Sequence, residues 1–307
     1  MATTQVQPSP QVEEPGRPLD TGKKNQERTG ASIAFLIALW CSLAFGILVL
    51  LVLIVSTAID GAPRLDSNLF TEYASQLNED ETGVRAGILG SLWLMVTTAV
   101  MSVPLGIAAA LYLEEFANPA RWYNRLIEVN LQNLAAVPSV IYGLLAVGLM
   151  SLAGFRQTSL VIGGALALTL LILPVIIITT RESVRAVPRE IREGSLALGA
   201  TLWQTTWRQS LPSAVPGIAT GTILALSRAI GEAAPLLLLG VATGIRFDPN
   251  GILSQFTALP IQIFSMSSMS QDEFQTAAAA AIIVLLVMIL ALNGLAIYIR
   301  NRFQRSW

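Results

Sequence analysis

Histidine is absent from all 307 residues, and cysteine occurs once, at Cys41. Without histidine there is no Cys/His metal cage and no Ser-His-Asp or Cys-His nucleophile system, so neither a metal site nor a catalytic site is expected. One cysteine cannot form an intrachain disulfide framework. Cys41 falls inside an apolar run, where it reads as a small inert side chain. Charge is scarce too: Asp, Glu, Lys and Arg make up 13% of the chain, against about a quarter in soluble domains. A phosphate-cradling Gly-x-x-x-x-Gly-Lys-Ser/Thr loop is also missing, since Gly22-Lys23-Lys24 lacks the upstream glycine and the hydroxyl; no nucleotide is expected to bind this chain. A formal net charge of −1 is close to balance and by itself says nothing about charged partners; no nucleic-acid partner is expected.

What the chain has in excess is apolar sequence, 53% of its residues, arranged in long runs. Because roughly 20 apolar residues cross ~30 Å of hydrocarbon, these runs read as spans in contact with membrane lipid. Six are predicted, at about 31–59, 86–113, 126–152, 159–180, 213–240 and 276–299. The third is softened by Gln132, Asn133 and Pro138. Residues 1–30 are rich in Pro, Gln, Thr and charge without hydrophobic periodicity; they read as a disordered tail, too long and polar for a cleavable signal. A first segment then covers residues 31–85, the first span and a polar, acidic, solvated external loop. Residues 86–307 form the remaining core.

Lys and Arg placement orients the spans. With the N-terminus inside, fourteen of the nineteen cations lie on the cytoplasmic side; Arg64, Arg85, Arg156 and Arg246 lie outside, and Arg228 sits within a span. Both termini are therefore expected in the cytoplasm.

Residues 181–212 form a long basic segment where connections are usually short. Pro188 suits a first helical position. Ile191, Ser195, Leu198 and Leu202 recur three or four apart as a narrow apolar stripe. Gly199 can take the left-handed conformation that ends a helix, and Thr201 with Gln204 has capping-box spacing for a second one. Arg192, Glu193 and Arg208 carry charge on the opposite side. Such a helix pair suits either the membrane surface or a groove on a cytoplasmic partner. The stretch Glu193-Gly194-Ser195-Leu196-Ala197-Leu198-Gly199-Ala200, followed by Leu211-Pro212, resembles the EAA loop of ABC importer permeases. That resemblance implies docking to an ATPase subunit through Arg192, Glu193, Gly194, Ser195, Leu198, Gly199, Ala200, Leu211 and Pro212. Glu193, Gly199, Leu211 and Pro212 stand at the family spacing; Gly194 and Ser195 replace two alanines, and Gln209 an aliphatic residue. The literal Glu232-Ala233-Ala234 lies within a span and is a decoy.

Arg228 and Glu232 fall four residues apart inside the fifth span, with Gly231 between them. Ionisable groups at that depth face a cavity or a partner. The pair admits two readings. It is a self-neutralising structural pair, or a station on an anion path in which Arg228 offers a donor fork, Glu232 tempers it, and Gly231 permits close approach. Arg preceding Glu at this spacing is the weaker helical orientation, which disfavours the first reading.

The runs Ser102-Val103-Pro104-Leu105-Gly106, extending to Leu113-Glu114-Glu115, and Val137-Pro138-Ser139-Val140-Ile141-Tyr142-Gly143-Leu144 are similar to helices of phosphate importer permeases. Gly231-Glu232-Ala233-Ala234-Pro235-Leu236-Leu237 resembles the PstA-type subunits, within the binding-protein-dependent transport permease family. Arg-x-x-Gly-Glu at this place also occurs in sulfate and molybdate permeases. The resemblance implies a type I ABC importer permease fold: all-α, six transmembrane helices, and a coupling loop between helices 4 and 5. It further implies a non-catalytic permease subunit of a phosphate importer in the bacterial cytoplasmic membrane. Its partners would be a PstC-like permease, two PstB-like ATPases carrying the ATP-Mg, and an extracytoplasmic PstS-like binding protein, which residues 60–85 could help to seat. A secondary transporter would carry more ionisable residues in its spans, and an intramembrane enzyme would need clustered catalytic groups.

Overall fold

The computed structural model describes residues 30–75, 82–118 and 120–303. The predicted tail over residues 1–30 lies outside them except for its last residue. The chain divides at Val52 and Leu53 into two compact units. The first contains most of α1 (Gly30–Gly61), a continuous apolar helix that at 1.5 Å per residue exceeds the bilayer thickness.

The described residues of the second unit are mostly helical. In chain order it holds α2 (Ser67–Thr71), α3 (Arg85–Leu111), α4 (Trp122–Ala135), α5 (Ser139–Leu152), α6 (Val161–Arg185), α7 (Arg189–Ala197), α8 (Leu202–Thr205), α9 (Leu211–Ile230), α10 (Ala234–Leu238), α11 (Leu259–Ser267) and α12 (Asp272–Phe303). Single π-helical turns follow α3 (Tyr112–Phe116) and precede α9 (Thr206–Ser210). The only β pairing among the described residues is an isolated bridge between Leu160 and Gln255.

Among the described residues, five helical stretches are long and apolar enough to cross a membrane: α1, α3, α6, Leu202–Ile230 (which contains α9) and α12. The third predicted span, expected as one helix over 126–152, is instead the pair α4 and α5, bent by 113°. Pro138 causes the break: it has no N–H to donate, and it drives the residue before it out of helical geometry. The Tyr142 hydroxyl then donates to the Leu134 carbonyl at 2.6 Å, pinning the two arms across the bend.

Three other predicted boundaries shift. Helix α6 continues through Arg185, and Arg181 and Arg185 pair with Glu114 from within it. Helix α9 stops at Ile230 rather than near 240; Gly231-Glu232-Ala233 interrupts it, and α10 follows as a separate short helix. Helix α10 packs so closely on α5 that a Cβ at Gly143 would lie 2.5 Å from the Pro235 carbonyl oxygen. The loop predicted up to residue 275 contains α11, and α12 already begins at Asp272.

The stretch 60–85 is less solvated than its composition suggests. Leu69 and Val84 are fully buried and Ala74 nearly so, packed with Leu259, Met266, Ala277 and Ala281. These apolar residues lie too far apart in sequence to form a readable stripe. Asp66 caps α2 by accepting from the Leu69 amide, and Arg85 clamps Asp248 with two of its nitrogens.

Helix α6 is the centre of the bundle, with 14 of its 25 residues buried. Lipid supplies no hydrophobic drive between spans, so close packing of small residues holds them together. Gly106 of α3 faces Ile176, while Gly217 and Gly221 of α9 face Ser183 and Thr179; a Cβ at any of the three would collide with its neighbour.

Candidate docking loop and anion station

Residues 186–210 fold as the paired helices their sequence suggests. Pro188 is the N-cap of α7 with φ −54° and ψ 138°, one position earlier than predicted. Gly199 ends that helix at φ +85°, a left-handed conformation that side-chain-bearing residues adopt only at a cost. Thr201 and Gln204 complete a reciprocal capping box that starts α8. The two helices are joined by the hydroxyls of Ser195 and Thr205 at 2.9 Å. Between them lies a concavity of about 420 Å³, lined among others by Ile191, Gly194, Ser195, Leu198, Ala200 and Gln204.

The predicted stripe does not turn inward. Leu198 stands 91% exposed at the corner, with Ile191 and Leu202 also exposed. Glu193 is exposed and makes no ion pair with any described residue. Gly194 is open, and a Cβ there would meet nothing within 4 Å. Leu211 opens α9, with Pro212 in its first turn. Ala200 is half-buried. Arg192 is the exception among the predicted docking residues. Its guanidinium turns back into the chain, donating to the Val184 carbonyl at 2.7 Å and lying 3.0 Å from the Glu115 carboxylate.

Around that contact the structure assembles carboxylates that sequence reading left unassigned. Glu114 meets Arg181 at 3.2 Å and Arg185 at 2.8 Å, and Arg181 also reaches Glu128 at 2.9 Å. Two adjacent glutamates closing an apolar span, with arginines four apart on another span, were the available signal. Phe116 stacks near Trp203, centroids 5.8 Å apart, and Trp203 near Trp207 at 5.5 Å.

Arg228 sits in the last turn of α9. Its Nε lies 3.5 Å from Glu232 Oε1, a loose pair, and the Arg228 side chain is 55% exposed against 22% for Glu232. Glu232 is not one helical turn further along a continuous span, because the helix has already ended. Its amide donates to the Ala229 carbonyl in a closing turn, while Gly231 keeps φ at −88° and leaves the backbone open beside both side chains. The structure thus brings Arg228, Gly231 and Glu232 together at a break in the helix. One turn away, Ser227 donates to Asn293 and ties α9 to α12.

A family described as "Binding-protein-dependent transport system inner membrane component" matches residues 102–305. The phosphate transport system permease protein PstA of Mycobacterium leprae is 38% identical over 185 residues, covering 60% of this chain and 59% of that protein. The PstA protein of Xylella fastidiosa (strain Temecula1) is 31% identical over 248 residues, covering 80% of this chain and 85% of its own length. The chain thus spans about three fifths of the first relative and most of the second. Among solved structures, a chain of a bacterial alginate ABC transporter, in complex with alginate pentasaccharide-bound periplasmic protein, superposes with a TM-score of 0.63. At 17% identity it covers 91% of this chain and 99% of its own, which establishes the type I importer permease fold. With α3 to α12 arranged as in that fold, and a paired-helix loop between α6 and α9, the chain belongs to the binding-protein-dependent transport system inner membrane component family, as a multi-pass PstA-type permease.

Proposed function

We propose that the chain is the transmembrane subunit of an ATP-driven phosphate importer, pairing with a second permease around a shared path. The observation that carries this reading is Arg228. A guanidinium that is 55% exposed at a break in an apolar helix cannot face hydrocarbon without a cost of several kcal/mol. It faces a polar cavity or a partner chain, and its donor fork suits a tetrahedral oxyanion. The PstA names of the relatives favour phosphate. Glu232 adds a chemical reason: inorganic phosphate near neutral pH still carries an O–H donor that this carboxylate can accept, whereas sulfate has none. A site built around such a bond discriminates strongly against the analogue lacking it.

Energy comes from outside the chain. The exposed corner at Leu198 and the concavity beside it are the docking surface for an ATPase, with Glu193 and Gly194 free to approach it and Leu211-Pro212 passing the motion into α9. ATP and Mg²⁺ belong to two PstB-like ATPases, and this subunit performs no catalysis. An extracytoplasmic PstS-like protein delivers the substrate, and a PstC-like permease completes the path. The excess of Lys and Arg on one side supports a cytoplasmic docking loop and cytoplasmic termini, with 86–307 as the permease core.

The substrate assignment is tested by competition in vesicles containing the full complex. Unlabelled phosphate is expected to suppress uptake of radiolabelled phosphate, while an equal excess of sulfate or molybdate leaves it within about twofold, and Glu232→Gln narrows that gap. Equal suppression by sulfate in the unmodified complex would remove the selectivity for phosphate, and no uptake of the radiolabelled phosphate would remove phosphate as the substrate.

A further inference from the structure

We infer that the π-helical turn Tyr112–Phe116 is the member through which the docking loop moves the spans, and that Glu115 is its positioning residue; the inference rests on the permease reading above. Two independent sets of contacts converge on these five residues. On the charged side, the Glu115 side chain is only 4% exposed and lies 3.0 Å from Arg192 of the docking helix α7. Arg192 is held in turn by the Val184 carbonyl at the end of α6. On the aromatic side, Phe116 lies against Trp203 of α8, and Trp203 against Trp207 in the second π-helical turn. Both helices of the docking loop are therefore tied to the same short turn, one by charge and one by ring contact.

The turn is equally tied to the spans. Glu114, adjacent to Glu115, grips Arg181 and Arg185 of α6, and Arg181 extends the network to Glu128 of α4. Covalently the turn is the end of α3, which packs along α6. A displacement of α7 and α8 is thus delivered to α3, α4 and α6 at once, as well as through Leu211 into α9. Single π-helical turns are rare and concentrate at functional sites, and here the two of them are bridged by one row of aromatic rings. The buried carboxylate sets the register. Removing one partner of a buried ion pair leaves the other uncompensated, so the pair resists slipping. Its loss should loosen the connection without emptying the ATPase surface, since Leu198 and Glu193 point elsewhere.

The test uses the whole complex in proteoliposomes, with ATP hydrolysis and phosphate uptake read from the same preparation. Glu115→Gln is expected to keep the ATPase bound and hydrolysing while phosphate moved per ATP falls about tenfold, within the range of ordinary coupling energies. Glu115→Asp, which keeps the carboxylate, is expected to retain most of that ratio; rescue by the conservative variant distinguishes a positioning pair from a residue needed only for folding. An unchanged ratio in Glu115→Gln overturns the inference. So does a parallel fall of hydrolysis and uptake, or a Glu115→Asp ratio as low as that of Glu115→Gln while its ATPase still co-purifies. If the unmodified complex takes up no phosphate with ATP present, the permease reading itself fails, before any variant is compared.

Discussion

In the assembled transporter, Arg228→Gln lowers phosphate uptake by roughly 100-fold, because losing a charge-assisted hydrogen bond costs up to about 3 kcal/mol. The chain should still assemble with its partners at the wild-type level. Among the described residues the Arg228 side chain has no polar partner beyond the loose 3.5 Å approach to Glu232, so little of the fold depends on its charge. Arg228→Lys keeps the charge but loses the planar fork, and is expected to retain part of the activity, with uptake down about tenfold. The check is initial uptake rate in vesicles normalised to complex content. Unaltered uptake in Arg228→Gln would mean that the residue only neutralises Glu232.

The second large effect concerns the docking corner. Leu198→Asp is expected to weaken association with the ATPase by about 30-fold or more, the scale of losing an interface hot spot. Leu198 is 91% exposed in this chain, so the substitution removes no packing and the isolated subunit should remain folded. Gly199→Val should act nearly as strongly by another route. A β-branched side chain at φ +85° is strained by about 1–2 kcal/mol, and relieving that strain swings Leu198 relative to α8. Space is not the issue, because a Cβ at Gly199 meets nothing within 4 Å. Gly194→Ala is the control: it sits in open space inside α7, where alanine favours helix by about 1 kcal/mol. Co-purification of the ATPase with each variant distinguishes the three, and loss of ATPase from Gly194→Ala would show that close approach at residue 194 is required.

The loop was legible because its signals are local. A proline before the helix, a glycine after it and a Thr-x-x-Gln spacing act within a few residues, and α7 and α8 appear where those signals stand. Spans were legible for a similar reason, since length and hydropathy decide them. The bend at Pro138 was only half visible: the proline could be seen, but the 113° turn depends on Tyr142 reaching Leu134 and on α10 packing against Gly143. The early end of α9 was hidden by uninterrupted apolar sequence on both sides of Gly231-Glu232. Hidden too was the inward turn of Arg192: its place on the charged side of an amphipathic helix pointed outward, whereas its guanidinium lies beside Glu115. Pairings such as Arg181 with Glu114, or Arg85 with Asp248, join residues far apart in the chain. A single sequence carries no mark of such pairings beyond the presence of the charges.

The central claim is that an oxyanion crosses beside Arg228 only when ATP is used at the docking loop. Its most direct measurement is radiolabelled phosphate uptake into proteoliposomes holding this chain, its partner permease, the ATPases and the binding protein, with and without ATP on the ATPase side. Uptake that requires ATP, is lost in Arg228→Gln with hydrolysis intact, and is lost together with hydrolysis in Leu198→Asp is the predicted result. Phosphate entering vesicles that contain this chain alone, at the same rate without ATP, would contradict it.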